Sequence, residues 1–301
     1  MHTRGTVAII GAGDIGQAIA FVLRHSPYEI ILWDVDRKKV RYPEPLETLI
    51  PRSQFVFSCV PARFIRTAMS PIAEHIHEST TVISLSKGLE GESNKTVERV
   101  LRESLPLGQP IALMSGPMLA TELKAKQPGL AVIATRHEST YQAIRHLFAG
   151  TALTVTHSTD LHGVALAGVL KNIYTLSFGI ADALKWESNA KGWLTMQAMH
   201  EMYDLLITLG GRGETALGAA GLGDFIATSA SPTSKNHQCG YRFVTTKKGT
   251  ENSEGFMALP GFIRLIDKKT KPYPLLDTLV AVLLDHQDPH VAFPRLLRVH
   301  L

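Results

Sequence analysis

Cysteine is scarce in this sequence. Cys59 and Cys239 are the only two among 301 residues, too few for a disulfide framework. No Cys/His spacing suits structural zinc, and no CxxC, HExxH or GxSxG occurs, so no metal site is expected. Charge is thin as well: charged residues make up 19% against 45% hydrophobic, which excludes the polar, highly charged composition of disorder. No uninterrupted apolar run reaches the roughly 18 residues that cross a bilayer, so no membrane span is expected. The formal net charge is +4, and the basic residues are scattered. That balance suits a small anionic partner and argues against a nucleic-acid footprint. The opening MHTRGTVAII lacks the apolar core and cleavage site of a signal peptide, and a cytoplasmic protein is expected. Internal repeats and low-complexity tracts are also missing.

What is there is an alternation. Short β-rich runs at Thr6–Ile10, Glu29–Trp33, Gln54–Val60, Thr80–Leu85, Ile111–Met114, Ala131–Ala134 and Leu153–Val155 flank amphipathic stretches at Gly16–His25, Arg63–Ile76 and Lys95–Ser104. Strand–helix–strand order predicts an α/β fold with a Rossmann-like, mostly parallel sheet. Runs such as VAII and FVFSCV lack polar alternation and fit strands buried on both faces. Beyond Asp160 the texture turns helical, with a long Ala/Gly/Leu window to Lys185, then LTMQAMHEMYDLLITLG and LLDTLVAVLLDH. The expected organisation is a dinucleotide-binding domain over 1–160 and an all-helical substrate-binding domain over 161–301. Met196, Met199 and Met202, at helical spacing, are expected in the core. Lys268, Lys269 and Lys271 are expected to form a solvated cluster.

Gly11-Ala12-Gly13-Asp14-Ile15-Gly16 fits GxGxxG between the first strand and a helix. Gly11 permits the tight turn, Gly13 lets backbone approach a pyrophosphate, and Gly16 lets helix pack on strand. Asp34 closes the second strand at the spacing of a ribose-binding carboxylate. A carboxylate there repels a 2′-phosphate and favours NAD, while Arg37 and Lys38 could fold back onto one, so NADP stays open.

Three later segments carry polar groups. Lys87, in SLSKGLE, follows the fourth strand, where ligands bind in open α/β sheets; the alternative is a solvated loop lysine. Lys171-Asn172 lies inside the apolar helical window. An ammonium there is costly to bury unpaired, and desolvation would tune it for proton transfer; otherwise its head snorkels to water. Residues 218–236 combine glycines, Asp224, hydroxyls at Thr228, Ser229, Ser231, Thr233 and Ser234, then Lys235-Asn236. They read as a phosphate cradle or as a turn-rich linker.

Taken in order, GAGDIG, SLSKGLEGE, SGPMLATEL, HGVALAGVLKNIYTLSFGIADAL and GLGDF with TSASPTSKN resemble the NAD(P)-dependent glycerol-3-phosphate dehydrogenases of bacterial type. The resemblance implies hydride transfer between sn-glycerol 3-phosphate and dihydroxyacetone phosphate with NAD, or NADP as second option, supplying phospholipid synthesis. It implies Lys171 as general acid/base, with Lys87 and Asp224 beside it in catalysis. Cofactor contacts would come from Gly11, Gly13, Asp14, Ile15, Gly16, Asp34, Lys87, Ala120, Lys235 and Glu254. Substrate contacts would come from Lys87, Gly116, Lys171, Asn172, Asp224, Ser234, Lys235 and Asn236. A homodimer is implied by the resemblance alone.

Several positions depart from the family pattern. Lys235 stands for an arginine and loses its bidentate geometry. Met118 replaces a small hydroxyl residue, Met196-Gln197 replaces Thr-Arg, and the segment between Asp34 and Ser53 is short. These departures keep two alternatives open: a divergent paralogue acting on another small hydroxy acid or phosphorylated alcohol, and a catalytically silent dinucleotide-binding regulator.

Overall fold

The computed structural model describes residues 5–41, 44–248, 252–266 and 272–297; the Lys268, Lys269 and Lys271 cluster lies outside them. The chain divides into two compact units: one comprising residues up to Glu90 and Lys95–Ala165, the other Gly91–Asn94 and the chain from Leu166 onward.

The first unit is built on a seven-stranded sheet: β1 Thr6–Ile10, β2 Glu29–Trp33, β3 Ser53–Ser58, β4 Thr81–Ser84, β5 Ile111–Ser115, β6 Gly129–Ala134 and β7 Leu153–Ser158. Its order is β2-β1-β3-β4-β5-β6-β7. All pairs are parallel except β5–β6. The seven expected strands are present, with ends shifted by up to three residues. Every β1 residue is buried, as its unalternating apolar run requires. Helices α1 Asp14–Leu23, α2 Leu46–Leu49, α3 Ile65–Ala73, α4 Val97–Ser104, α5 Ala120–Lys124 and α6 Glu138–Leu147 connect the strands. One apolar cluster, including Ile9, Phe57, Met114 and Ile133, joins sheet and helices. Strand order reverses at β1, with β2 on one side and β3 on the other. In open α/β sheets that switch point, at the carboxyl ends of the strands, is where ligands bind.

The second unit is helical: α7 Leu161–Ala183 (its first five residues belonging to the first unit), α8 Ser188–Thr208, α9 Glu214–Leu217, α10 Asp224–Ala230, α11 Lys235–Thr246, α12 Glu254–Leu265, α13 Pro274–Leu283 and α14 Pro289–Leu296. Helix α7 is long and apolar enough to cross a membrane by composition, yet its most apolar 18-residue window is wholly buried, the mark of a core helix. Small residues let its neighbours close in. A Cβ on Gly240 of α11 would lie 2.1 Å from the Leu176 carbonyl oxygen of α7. Glu201 of α8 ties this core to α13, accepting from the Leu275 and Leu276 amides at 2.6 and 3.0 Å and from the Tyr174 hydroxyl at 2.9 Å. Burial pushes the Glu201 carboxyl above its ordinary range despite those donors.

Two expectations need correction. Residues 218–236 are not a turn-rich linker: Ala219–Gly223 form a π turn, α10 follows at once, and Ser234 caps α11. Gly221 serves close packing rather than flexibility, since a Cβ on it would sit 2.0 Å from the Ala216 carbonyl oxygen. Of the three methionines, Met199 and Met202 are buried but Met196 is 46% exposed. Steps of three residues drift around a helix of 3.6 residues per turn, and Met196, the first of the three, falls off the core face.

Candidate active site

In the first unit a cavity of about 540 Å³ opens at the switch point. It is lined by Gly11 and Gly13 after β1, Asp34 and Lys39 after β2, and Cys59 and Phe64 after β3, among others. Gly11 adopts φ +103°, and a Cβ there would lie 2.9 Å from the Cys59 carbonyl. A side chain is excluded twice over, by conformation and by space. Gly13 is the N-cap of α1, with no side chain capping the helix and nothing within 4 Å of where a Cβ would stand. The first-turn amides of Asp14 and Ile15 therefore head a helix of ten residues whose N-terminus opens onto accessible space. That is the setting in which backbone N–H groups and the helix dipole hold a phosphate. Gly16 packs against the turn, where a Cβ would come within 1.9 Å of the Gly11 carbonyl oxygen.

Asp34 locks the two strand ends together. Its Oδ2 accepts from the Ala12 amide at 2.8 Å and its Oδ1 from the Asp36 amide at 2.9 Å. Lys39 Nζ stands 3.7 Å from Oδ1. With backbone donors on each oxygen and side-chain exposure down to 10%, the carboxylate is fixed at the cavity wall. The open glycine turn, the uncapped helix and the fixed carboxylate together fit an adenine dinucleotide.

Further along the sheet, Lys87 is half-buried and donates to the Gly116 carbonyl at 3.3 Å, so two residues 29 apart in sequence meet. Gly116 has φ +137°, and a Cβ on it would strike the Leu130 carbonyl oxygen at 2.4 Å. The turn carrying Lys87 is held by Ser86, whose hydroxyl donates to the Val60 carbonyl at 2.6 Å. Arg66 clasps Glu90 through two bonds of 2.6 and 2.9 Å just beyond it. Ala120 opens α5 and packs against the sheet's apolar cluster; Met118 is buried in that cluster. Ser58 and Ser115, at the carboxyl ends of β3 and β5, bury hydroxyls with no hydrogen-bond partner among the described residues.

In the helical unit Lys171 is 5% exposed and Asp224 2%. Their charged ends stand 3.2 Å apart. Lys171 also donates to the Thr228 hydroxyl at 2.9 Å, and that hydroxyl donates to Asp224 Oδ1 at 3.2 Å. The buried ammonium is thus paired and does not reach out to water. A buried charge costs several kcal/mol unless partnered, and here a carboxylate and a hydroxyl meet it. Asp224 and Thr228 lie four apart on α10, a spacing that puts both on one helix face. The signal in the sequence is the four-residue spacing of Asp224 and Thr228, which is visible only once the segment is taken as helix.

A second network adjoins the first. Asn236 donates from Nδ2 to Asn172 Oδ1 at 2.8 Å, while its Oδ1 accepts from the Ser253 hydroxyl at 2.8 Å and the Gly255 amide at 3.0 Å. Ser253, fully buried and cap of α12, was not singled out in the sequence; its signal is a hydroxyl residue just before an amphipathic helix. Ser234 is buried and spends its hydroxyl accepting from the His237 amide at 3.3 Å. Lys235 is exposed and Glu254 half-buried, each the first residue of its helix. Gln197, in place of an arginine, donates to Glu201 at 2.9 Å. The structure thus brings together the glycine turn with Asp34 and Lys87 with Gly116 in the first unit, and Lys171 with Asp224 and Asn172 with Asn236 in the second.

Fold and site define a class: dehydrogenases that pair a nicotinamide-dinucleotide sheet domain with a helical domain. Residues 37–141 match the profile of the NAD-dependent glycerol-3-phosphate dehydrogenase N-terminus and residues 160–294 that of its C-terminus. Residues 2–68 also match the NAD-binding domain of D-isomer specific 2-hydroxyacid dehydrogenases. A glycerol-3-phosphate dehydrogenase [NAD(P)+] of Teredinibacter turnerae is 36% identical over 78% of this chain and 75% of its own length. One from Clostridium botulinum is 28% identical over 97% and 96%. Among solved structures, glycerol-3-phosphate dehydrogenase from Coxiella burnetii superposes with a TM-score of 0.86 at 27% identity, covering 98% of this chain and 99% of that one. The chain belongs to the NAD-dependent glycerol-3-phosphate dehydrogenase family, and it is an NAD(P)-dependent enzyme.

Proposed function

We propose that the protein interconverts sn-glycerol 3-phosphate and dihydroxyacetone phosphate, with Lys171 as general acid and base. The carrying observation is the buried Lys171–Asp224–Thr228 cluster. When bound, the nicotinamide supplies or accepts hydride at the reacting carbon. As negative charge builds on the substrate oxygen, the Lys171 ammonium stabilises it and donates its proton; in the oxidative direction the amine takes that proton back. Asp224 favours the protonated lysine and Thr228 fixes its direction. Asn172, held by Asn236, orients substrate. Ser234, Lys235 and Asn236 serve the substrate's phosphate or glycerol end, Gly116 touches substrate, and Lys87 touches both substrate and cofactor. Gly11, Gly13, Asp14, Ile15, Gly16, Asp34 and Ala120 serve the dinucleotide, with Lys235 and Glu254 as further contacts.

We propose further, from the family resemblance, a cytoplasmic enzyme that works as a homodimer and supplies glycerol 3-phosphate for phospholipid synthesis. A second reading, a paralogue with another small hydroxylated substrate, is favoured by the Met118 side chain, buried where a hydroxyl would serve substrate, and by Gln197, which contributes no cation. A panel of ketones assayed by NADH oxidation separates the two. Dihydroxyacetone phosphate as best substrate supports the first; no turnover of it beside turnover of an unphosphorylated ketone overturns it.

A further inference from the structure

The sequence offers three consecutive basic residues after β2, Arg37, Lys38 and Lys39, and only Arg37 and Lys38 stood out there as candidates to meet a phosphate. Geometry separates them differently. The three form one 3-10 turn capped by Asp36, whose side chain accepts from the Lys38 amide and whose carbonyl accepts from the Lys39 amide at 3.0 Å. Of the three, Lys39 alone lines the dinucleotide cavity. The turn brings its Nζ back to 3.7 Å from Asp34 Oδ1 while leaving the side chain 49% exposed.

This pairing changes what Asp34 can do. A lone carboxylate at the ribose position repels a 2′-phosphate of nearly two negative charges. Here that carboxylate is anchored by two backbone amides and half-neutralised by an ammonium that remains free to swing. With no 2′-phosphate, Lys39 rests on Asp34, and the ribose hydroxyls meet a carboxylate. With a 2′-phosphate, the ammonium can leave the weak, partly solvated ion pair for a charge-assisted bond to the phosphate.

We infer that Lys39 decides how well this enzyme accepts NADPH, by screening Asp34 and contacting the 2′-phosphate. Asp36 is the other carboxylate in the turn, and its side chain is engaged by the Lys38 amide at 3.2 Å. Arg37 and Lys38 do not line the cavity, and the positive potential they add is screened by salt over about 10 Å. The inference rests on the dinucleotide reading of the cavity.

The test is binding, read by nucleotide fluorescence on the whole protein without substrate. Lys39→Gln is expected to weaken NADPH about tenfold, equivalent to about 1.4 kcal/mol, and to leave NADH within about twofold. Lys38→Gln is expected to change neither. Asp34→Asn added to Lys39→Gln is expected to recover most of the NADPH loss, because the repelling charge is gone while an acceptor for the Ala12 amide remains. An unchanged NADPH-to-NADH ratio in Lys39→Gln, with both nucleotides still bound, overturns the inference alone. Failure of the unaltered protein to bind either nucleotide overturns the dinucleotide reading beneath it.

Discussion

Lys171 stood out in the sequence because an ammonium amid Val169, Leu170 and Ile173 is costly to bury unpaired, and its 5% exposure sets aside the alternative of a head that snorkels to water. Its partners were harder to see. Thr228 is 57 residues away and looks like one hydroxyl among several; only α10 turns it and Asp224 toward the same point. Thr228→Val is expected to lower kcat about tenfold to a hundredfold with NADH affinity unchanged, and Thr228→Ser to retain most activity. Equal activity in the valine variant would show that the hydroxyl does not direct the lysine. Cys59 carries a second prediction. It borders the cavity, yet burial pushes its thiol up to about 12, so it stays protonated and a poor nucleophile at mildly alkaline pH. Cys239 is fully buried. Both should resist iodoacetamide in the folded protein and react only in denaturant, as counted by mass spectrometry. Rapid labelling of Cys59 in the native state would contradict its burial.

Helices and strands differed in how plainly they announced themselves. The central strands stood out because a strand buried on both faces is a short apolar block with polar ends. Residues 218–236 did not read as helix because glycine, serine and proline signal turns locally, while tertiary packing overrides that preference. The short α5 was equally hidden: its five residues leave too few turns for a hydrophobic period. At this scale Asp182 joins three helices, accepting from Lys191 of α8 and from His237 of α11 at 2.7 Å. Burial would raise its carboxyl, but the hydrogen bonds from Lys191 and His237 prevail and hold it below its ordinary range. A lowered native value means the stabilisation is present above the unfolded carboxylate's titration and lost as pH falls through the native one. Asp182→Asn should therefore cost about 1 kcal/mol or less near neutral pH. In denaturant titrations that difference should shrink on acidification. A constant gap at every pH would mean the ion pairs contribute nothing.

For the whole chain, alternation followed by helical texture was enough to foresee a parallel sheet and a helical half. The reversal of β6 against β5 was not foreseeable, since strand direction depends on how a connection returns, and only thirteen residues link the two. Nor could local pattern show that Lys87 meets Gly116 or that Asn236 holds Asn172, because both contacts exist only once separate elements have packed. What emerges is a division of labour: the sheet unit shapes the cavity at the switch point, and the helical unit buries Lys171, the proposed proton-transfer group, among its own partners. The most direct test of that division is Lys171→Met, measured for NADH affinity and for NADH oxidation with dihydroxyacetone phosphate on the same preparation. The account predicts affinity within about twofold of the unaltered protein and turnover reduced about a hundredfold to ten-thousandfold, the range general acid–base groups supply. Undiminished turnover would contradict it.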